Sequence, residues 1–276
     1  MSEPTLTRAR AGEVIGDAPD RRVEILGEHD GMHATWSRFG PGRDGADPHI
    51  HRRHHDVFYV LAGELTLKHA EGEATAPAGT LVRVPPMVVH GFRNGGAEEL
   101  RYLNVHAPGT GFADYMRALR DGGPREFDQE DPPAEGTRPS SEIAVGAPEI
   151  VFDEPDLGVA LLSDVDDVGV SETRATPGGP PVRAHVHRRH AEAFYVLEGE
   201  VTVITGGREL RAGPGDWVSL PPGIPHSVAL TGAEPVRFLN IHAPSRGFGA
   251  FVRALRETGG DPDEAAARAP FDEEDA

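Results

Sequence analysis

Two alternate histidines and a carboxylate run directly into an apolar segment at His185-Val-His187-Arg-Arg-His190-Ala-Glu192-Ala-Phe-Tyr-Val-Leu-Glu-Gly199. On a β-strand side chains two apart share a face, so His185 and His187 project together. A short turn at 188–191 returns Glu192 to that face if it closes a hairpin. Downstream, Gly215-Asp-Trp-Val-Ser-Leu-Pro221-Pro222-Gly223-Ile-Pro225-His226 delivers a third histidine through a tight Pro/Gly turn at the start of a strand. Three imidazoles and a carboxylate form a ligand set for a borderline divalent metal, with positions left for water or substrate.

The set occurs twice. His49-Ile-His51-Arg-Arg-His54-His55-Asp56-Val-Phe-Tyr-Val-Leu-Ala-Gly63 lies 136 residues earlier, and 11 of 17 positions are identical between 49–65 and 185–201. With His90, the first copy offers His49, His51 and Asp56, the Asp being shorter than Glu192 by one methylene, about 1.5 Å of reach. His54 and His190 recur inside the hairpins and are expected at the rim or in solvent. His55, of opposite parity, is expected to face solvent. His106 and His242, with Asn104 and Asn240, precede the exit turns, where they either line the pocket or hydrogen-bond the exit turn, the structural role being favoured. Phe58, Val60, Phe194 and Val196 share parity with the carboxylates and are expected to face inward as floor or pocket wall.

The repeat extends well beyond these stretches. Residues 101–120 match 237–256 at 12 of 20 positions with the same offset, so each copy is a whole domain rather than a solenoid unit. Within a copy, short apolar or alternating runs at 32–38, 57–61, 64–69, 80–84, 88–93 and 101–106 are separated by Gly, Pro and Asp/Asn, which predicts strands joined by turns. Each copy ends in an apolar stripe at helical spacing, Phe112, Tyr115, Met116 and Leu119, or Phe248, Phe251, Val252 and Leu255. The polar, Pro-rich stretch 121–141 reads as a linker, and the acidic tail after Gly259 as loosely held, although Glu126-Phe-Asp-Gln-Glu-Asp131 echoes Pro270-Phe-Asp-Glu-Glu-Asp275. Domains are expected at 1–135 and 136–276.

Composition narrows the function. Asp and Glu number 45 against 27 Lys and Arg, a net charge of −18, which argues against a nucleic-acid or anionic-membrane partner. The absence of cysteine excludes disulfides and thiolate ligands. Neither an apolar signal-peptide core nor a run of roughly 18 apolar residues is present, and a cytoplasmic location is expected. A homodimer is compatible with the sequence, although no feature of it fixes one.

The two stretches resemble the two cupin motifs. Gly179, His185, His187, Glu192 and Gly199 match the first motif fully; Gly215, Pro221, Gly223 and His226 match the second, with Leu230 where Asn is expected. The first copy keeps Gly79, Pro85, His90 and Asn94 but has Met87 for the motif Gly, Arg43 for its leading Gly and Asp56 for Glu. The protein therefore resembles a bicupin over nearly its whole length, and the EAFYVLEGEV wording with the His-Ala-Pro…Gly-Phe exit is most similar to quercetin-dioxygenase-like cupins. The resemblance implies an all-β fold of two tandem β-barrels of the jelly-roll, double-stranded β-helix type, each followed by a short α-helix. It implies one divalent transition metal per barrel, Fe2+ first, with Mn2+, Ni2+, Co2+ and Zn2+ also compatible. It further implies oxidation of a small enolic or phenolic molecule with O2, Glu192 or Asp56 acting as base toward the substrate hydroxyl. The other classes consistent with the motifs are a non-oxidative decarboxylase or isomerase and a ligand- or metal-binding cupin without turnover. Arg38 and Arg174 are candidates for pocket residues, and Trp36 and Met87, standing where the second copy has Glu172 and Gly223, for residues that set the two pockets apart.

Overall fold

The computed structural model describes residues 3–123, 126–178, 182–259, 268 and 271–276; Gly179 and Pro270 lie outside them. Two compact units form, one from Gly12–Ala147 and one from Met1–Ala11 together with Pro148–Ala276. Among the described residues the chain is all-β apart from two ten-residue helices and one 3-10 turn, and no helix among them is long and apolar enough to cross a membrane.

Each unit sets a seven-stranded antiparallel sheet against a smaller one. In the first unit the large sheet runs Ala144–Val145, Leu81–Val84, His55–Ala62, Leu100–Ala107, Met32–Phe39, Arg21–His29, Glu13–Ala18, and the small one Gly72–Pro77, Glu64–His69, His90–Arg93. The second unit repeats this order with Thr5–Thr7, Trp217–Leu220, Ala191–Glu198, Val236–Ala243, Val168–Ala175, Leu157–Val165 and Glu149–Asp153. Strand alternation explains the cores: Phe58, Val60, Val82, Leu100 and Tyr102 meet inside the first unit, and Phe194, Val196, Val218 and Phe238 inside the second. Phe58, Val60, Phe194 and Val196 thus face inward as expected and are core.

The apolar stripes form helix α1, Phe112–Asp121, and helix α2, Phe248–Glu257. Phe112, Ala113 and Met116 join the first core, while Phe248, Phe251 and Val252 pack with Leu161 and Phe271. Each helix begins just beyond a left-handed glycine, Gly111 at φ 81° or Gly247 at φ 82°, a backbone state that a Cβ disfavours.

Two expectations are corrected. The stretch read as a linker turns back into the first unit: Ile50 and Glu130 exchange both backbone hydrogen bonds, at 2.9 and 3.0 Å, and Ala144–Val145 pairs with Leu81–Val84. The tail read as loose supplies a strand, Glu273–Asp275, that pairs with Val182–His187, with Phe271 and Asp272 buried beneath it. In each case a Phe-Asp pair anchors a segment whose remaining residues are polar.

Away from both histidine clusters, His29 is held neutral, because burial pushes its pKa down to about 4, with nearby His33 adding and Asp30 opposing. Its Nδ1 accepts the Met32 N–H at 3.3 Å, a bond only the unprotonated nitrogen makes. Unfolded, the ring titrates near 6.5, so between about pH 6.5 and 4 the unfolded chain binds the extra proton. This group therefore withdraws stability as pH falls through that window, by about 2 kcal/mol after allowing for partial exposure. Metal-free protein unfolded in urea at pH 7 and pH 5 is expected to lose less stability as His29→Gln than as wild type; equal losses would remove His29 from the account.

Candidate metal centres

The strand Val182–His187 carries His185 and His187, the adjacent strand Ala191–Glu198 begins by placing Glu192, and His226 opens a strand registered opposite His185. The ligand atoms of His185, His187, Glu192 and His226 all lie within 4.8 Å of one another, and all four residues are buried. His49, His51, Asp56 and His90 do the same in the first unit, where His49 and His90 bridge. Met87 takes the left-handed conformation (φ 66°) that Gly223 takes in the second copy (φ 82°), and both donate their N–H to the carbonyl of the middle histidine, His51 or His187. The turn that delivers the third imidazole is thus preserved without the glycine.

Every one of the six histidines has its Nδ1 against a main-chain carbonyl: His49 on Asp47 at 2.7 Å, His51 on Asp128 at 2.5 Å, His90 on Val88 at 3.0 Å, His185 on Arg183 at 2.8 Å, His187 on Asp272 at 3.2 Å and His226 on Ile224 at 2.9 Å. A carbonyl only accepts, so each Nδ1 carries the proton and each Nε2 presents a lone pair inward. His49 and His51 then bring two Nε2 atoms to 3.2 Å, and His226 Nε2 faces Glu192 Oε2 at 2.7 Å. The His49 and His51 lone pairs at 3.2 Å repel unless a cation lies between them, whereas the His226–Glu192 contact is one that a proton on the ring also bridges. Nitrogens on adjacent positions of one metal with bonds of about 2.1 Å sit about 3 Å apart. His187 Nε2 is buried without a hydrogen-bond partner, 3.6 Å from Glu192 Oε2. The donors and their spacing therefore fit a divalent metal.

The carboxylates divide their oxygens. Asp56 accepts the Asn104 side-chain N–H on Oδ1 and faces His90 with Oδ2 at 3.3 Å. Glu192 accepts Asn240 on Oε1 at 2.8 Å and turns Oε2 to His226. Burial acts to raise both carboxyl pKa values, but the surrounding imidazoles, led by His106 and His242, outweigh it and hold both well below the usual range. Burial pushes His49 down to about 3 and His185 down to about 4. His226 is the exception, because the Glu192 charge overcomes burial and raises it. Ionised carboxylates beside neutral His49 and His185 are the forms a metal needs.

Sequence reasoning missed what stands behind these ligands. His54 and His190, expected at the rim, are fully buried, and His55 is buried too. His54 joins His106 at 2.9 Å and Asp128 Oδ2 at 2.9 Å, and His106 joins Asn104 at 3.0 Å. The result is one connected line, Asp56–Asn104–His106–His54–Asp128. The second unit repeats it as Glu192–Asn240–His242–His190, with Asp272 at 3.6 Å from His190. His51, His54 and His106 also cluster closely enough for a metal, as do His187, His190 and His242. Hydrogen bonds already occupy His54 and His106, which favours the first grouping. The signal that could have found the line was the recurrence of each member in both copies.

Arg38 and Arg174, expected at the pockets, are placed elsewhere. Arg38 registers beside Arg22 and Arg101, the opposite face of the strand from Ser37 and Phe39, and reaches the carbonyls of Ala18 and Pro19. Arg174 registers beside Arg237 and its side chain is 54% exposed. A cavity of about 440 Å³ opens on the first cluster, its wall including His49, His51, Asp56, Asn104 and Tyr102.

Comparison with known proteins agrees with this architecture. The family model described as "Cupin domain" matches residues 35–106 and 172–242, together just over half the chain. Over 104 residues, 38% of this chain, the sequence is 32% identical to quercetin 2,3-dioxygenase of Bacillus subtilis; the match spans 29% of that enzyme's length. Solved structures with the same fold include the oxalate decarboxylase formate complex of Lactobacillus farciminis, 15% identical with a TM-score of 0.59, covering 88% of this chain and 86% of that one. AerE from Microcystis aeruginosa is 14% identical with a TM-score of 0.59 over 83% of this chain and 95% of its own.

Proposed function

This chain belongs to the cupin family, and from that premise we propose that it is a metal-dependent oxidoreductase, a dioxygenase acting with O2 on a small enolic or phenolic molecule. One observation carries the metal part. In each unit three Nε2 lone pairs and one carboxylate oxygen converge while every Nδ1 is tied to a main-chain carbonyl. The sequence likeness to a quercetin dioxygenase supports the oxidative part.

The ligands in this reading are His49, His51, Asp56 and His90 in one unit and His185, His187, Glu192 and His226 in the other. Fe2+ is the first choice, because its chemistry suits O2 and the donor set serves it as well as Mn2+, Ni2+, Co2+ or Zn2+. A divalent metal held there supplies Lewis acidity toward a substrate hydroxyl and an electron partner for dioxygen. The main-chain carbonyls keep the imidazoles in one tautomer and orientation, so that no rearrangement precedes binding. Asn104 and Asn240 hold one oxygen of each carboxylate, leaving the other beside the imidazoles, where it also serves as acceptor for the proton of a substrate hydroxyl.

The test is turnover of a flavonol by iron-loaded protein, followed in air and under argon. Consumption that stops without oxygen supports the dioxygenase; consumption that continues unchanged replaces it with a non-oxidative decarboxylase or isomerase. Loaded protein that consumes no small enolic or phenolic compound in air leaves the binding-only reading.

A further inference from the structure

Arg21 stands on the inner face of the strand Arg21–His29 and contributes to the wall of the first unit's cavity. Its register partner is Phe39, which is almost fully buried and whose ring lies 5.6 Å from the guanidinium carbon. Its Nε is buried without a hydrogen-bond partner, and among the described residues no carboxylate pairs with it. It is the one Lys or Arg among the residues of this wall, whereas Asp47, Glu130 and Asp131 lie with His49 and His51. A half-buried guanidinium on a cavity wall with no anion beside it gains from a ligand that supplies one.

Registers fix the distance. Inward rows follow one another as Arg21–Phe39, Val23–Ser37–Tyr102 and Ile25–Thr35–Asn104, and Asn104 holds Asp56. From Phe39 to Thr35 is about 13 Å along the strand. The same rows in the second unit read Leu157–Ala175 and Val159–Thr173–Phe238, without the cation or the phenol.

We propose that the first unit's cavity takes an elongated small molecule bearing a carboxylate at one end, seated against Arg21, and a hydroxyl on the order of 10 Å away at the histidine cluster, whereas the second unit does not recognise the acid. This rests on the metal-site reading for the hydroxyl end only. Asp47 and Asp131 beside the histidines, with Glu130 tied up by Arg52, and a lone cation at the far end orient such a molecule one way round. The unequal rows give the duplicated units different tasks.

The test is calorimetric titration of metal-loaded full-length protein with 4-hydroxycinnamate, its methyl ester and oxalate. The acid is expected to bind once per chain, at least tenfold more tightly than the ester. Arg21→Leu and Arg21→Gln are expected to reduce acid binding to the level of the ester, with metal content unchanged; the second variant serves should the first fail to fold. Oxalate, too short to span the rows, is expected to bind equally in wild type and variants. Absent acid binding, equal acid and ester affinities, or affinity unchanged in both variants overturns the proposal. Arg21-dependent binding that is equally tight in metal-free His51→Ala protein keeps the Arg21 assignment and instead sinks the metal reading of the hydroxyl end.

Discussion

His185→Ala is expected to lower bound divalent metal by one equivalent per chain, and His49→Ala to remove one from the other unit, the double variant retaining none. Three Nε2 donors and one carboxylate serve each ion, so deleting one imidazole takes away a quarter of the ligands and leaves a cavity that water fills without the pre-set orientation. Metal at about 100 times its dissociation constant stabilises the unit that binds it by about 2.7 kcal/mol. Each single variant should therefore also lose the metal-induced rise in melting temperature of its own unit. Elemental analysis of the purified variants, paired with calorimetric scans with and without added metal, checks both effects. If either variant keeps the wild-type metal content, that cluster is not the site.

Asp128→Ala is expected to destabilise the first unit by about 3 kcal/mol and to weaken its metal affinity about 10- to 100-fold. Asp128 is buried, and its carboxylate accepts the N–H groups of Arg52 at 3.1 Å and Arg53 at 2.7 Å and bonds His54 at 2.9 Å. Its removal leaves His54 unpaired in the interior and the Arg52 and Arg53 N–H groups without their acceptor, and its own carbonyl holds His51 Nδ1, so the ligand is loosened with the segment. Asp272→Ala should act likewise in the second unit, where the carboxylate accepts the Arg189 N–H at 2.6 Å and its guanidinium at 2.9 Å. Phe271, packed against His187, His190 and Phe251, keeps part of that segment in place. Asp128→Asn retains an acceptor and should cost less than Asp128→Ala. Denaturant unfolding and metal titration of the three variants test this. Stability lost with no change in affinity would reduce the segment to a staple.

The residues that converge were legible because strand alternation is local: His185 and His187 share a face wherever the strand goes, and the recurrence of the pattern made the two clusters readable together. The inward parity of Phe58 and Phe194 followed from the same rule. Arg38 misled because it was taken as a pocket residue without regard to strand parity, which places it beside Arg22 and Arg101. Arg21 went unnoticed because its strand carries charge on both faces and shows no alternation to count. Asp128 and Asp272 act on histidines 74 and more residues away in sequence, through segments whose polar, Pro-rich or acidic make-up matches that of a linker. Only the Phe-Asp echo pointed to them, and an echo carries no direction. Thr5–Thr7, three residues paired with Trp217–Ser219, is too short for any periodicity.

Anomalous scattering from crystals of the metal-loaded full chain tests the central claim most directly. Two peaks per chain are expected, one bonded by His49, His51 and His90 Nε2 with an Asp56 oxygen, the other by His185, His187 and His226 Nε2 with a Glu192 oxygen. Absence of a peak at either cluster, or a peak held instead by His54 and His106 or by His190 and His242, would contradict it.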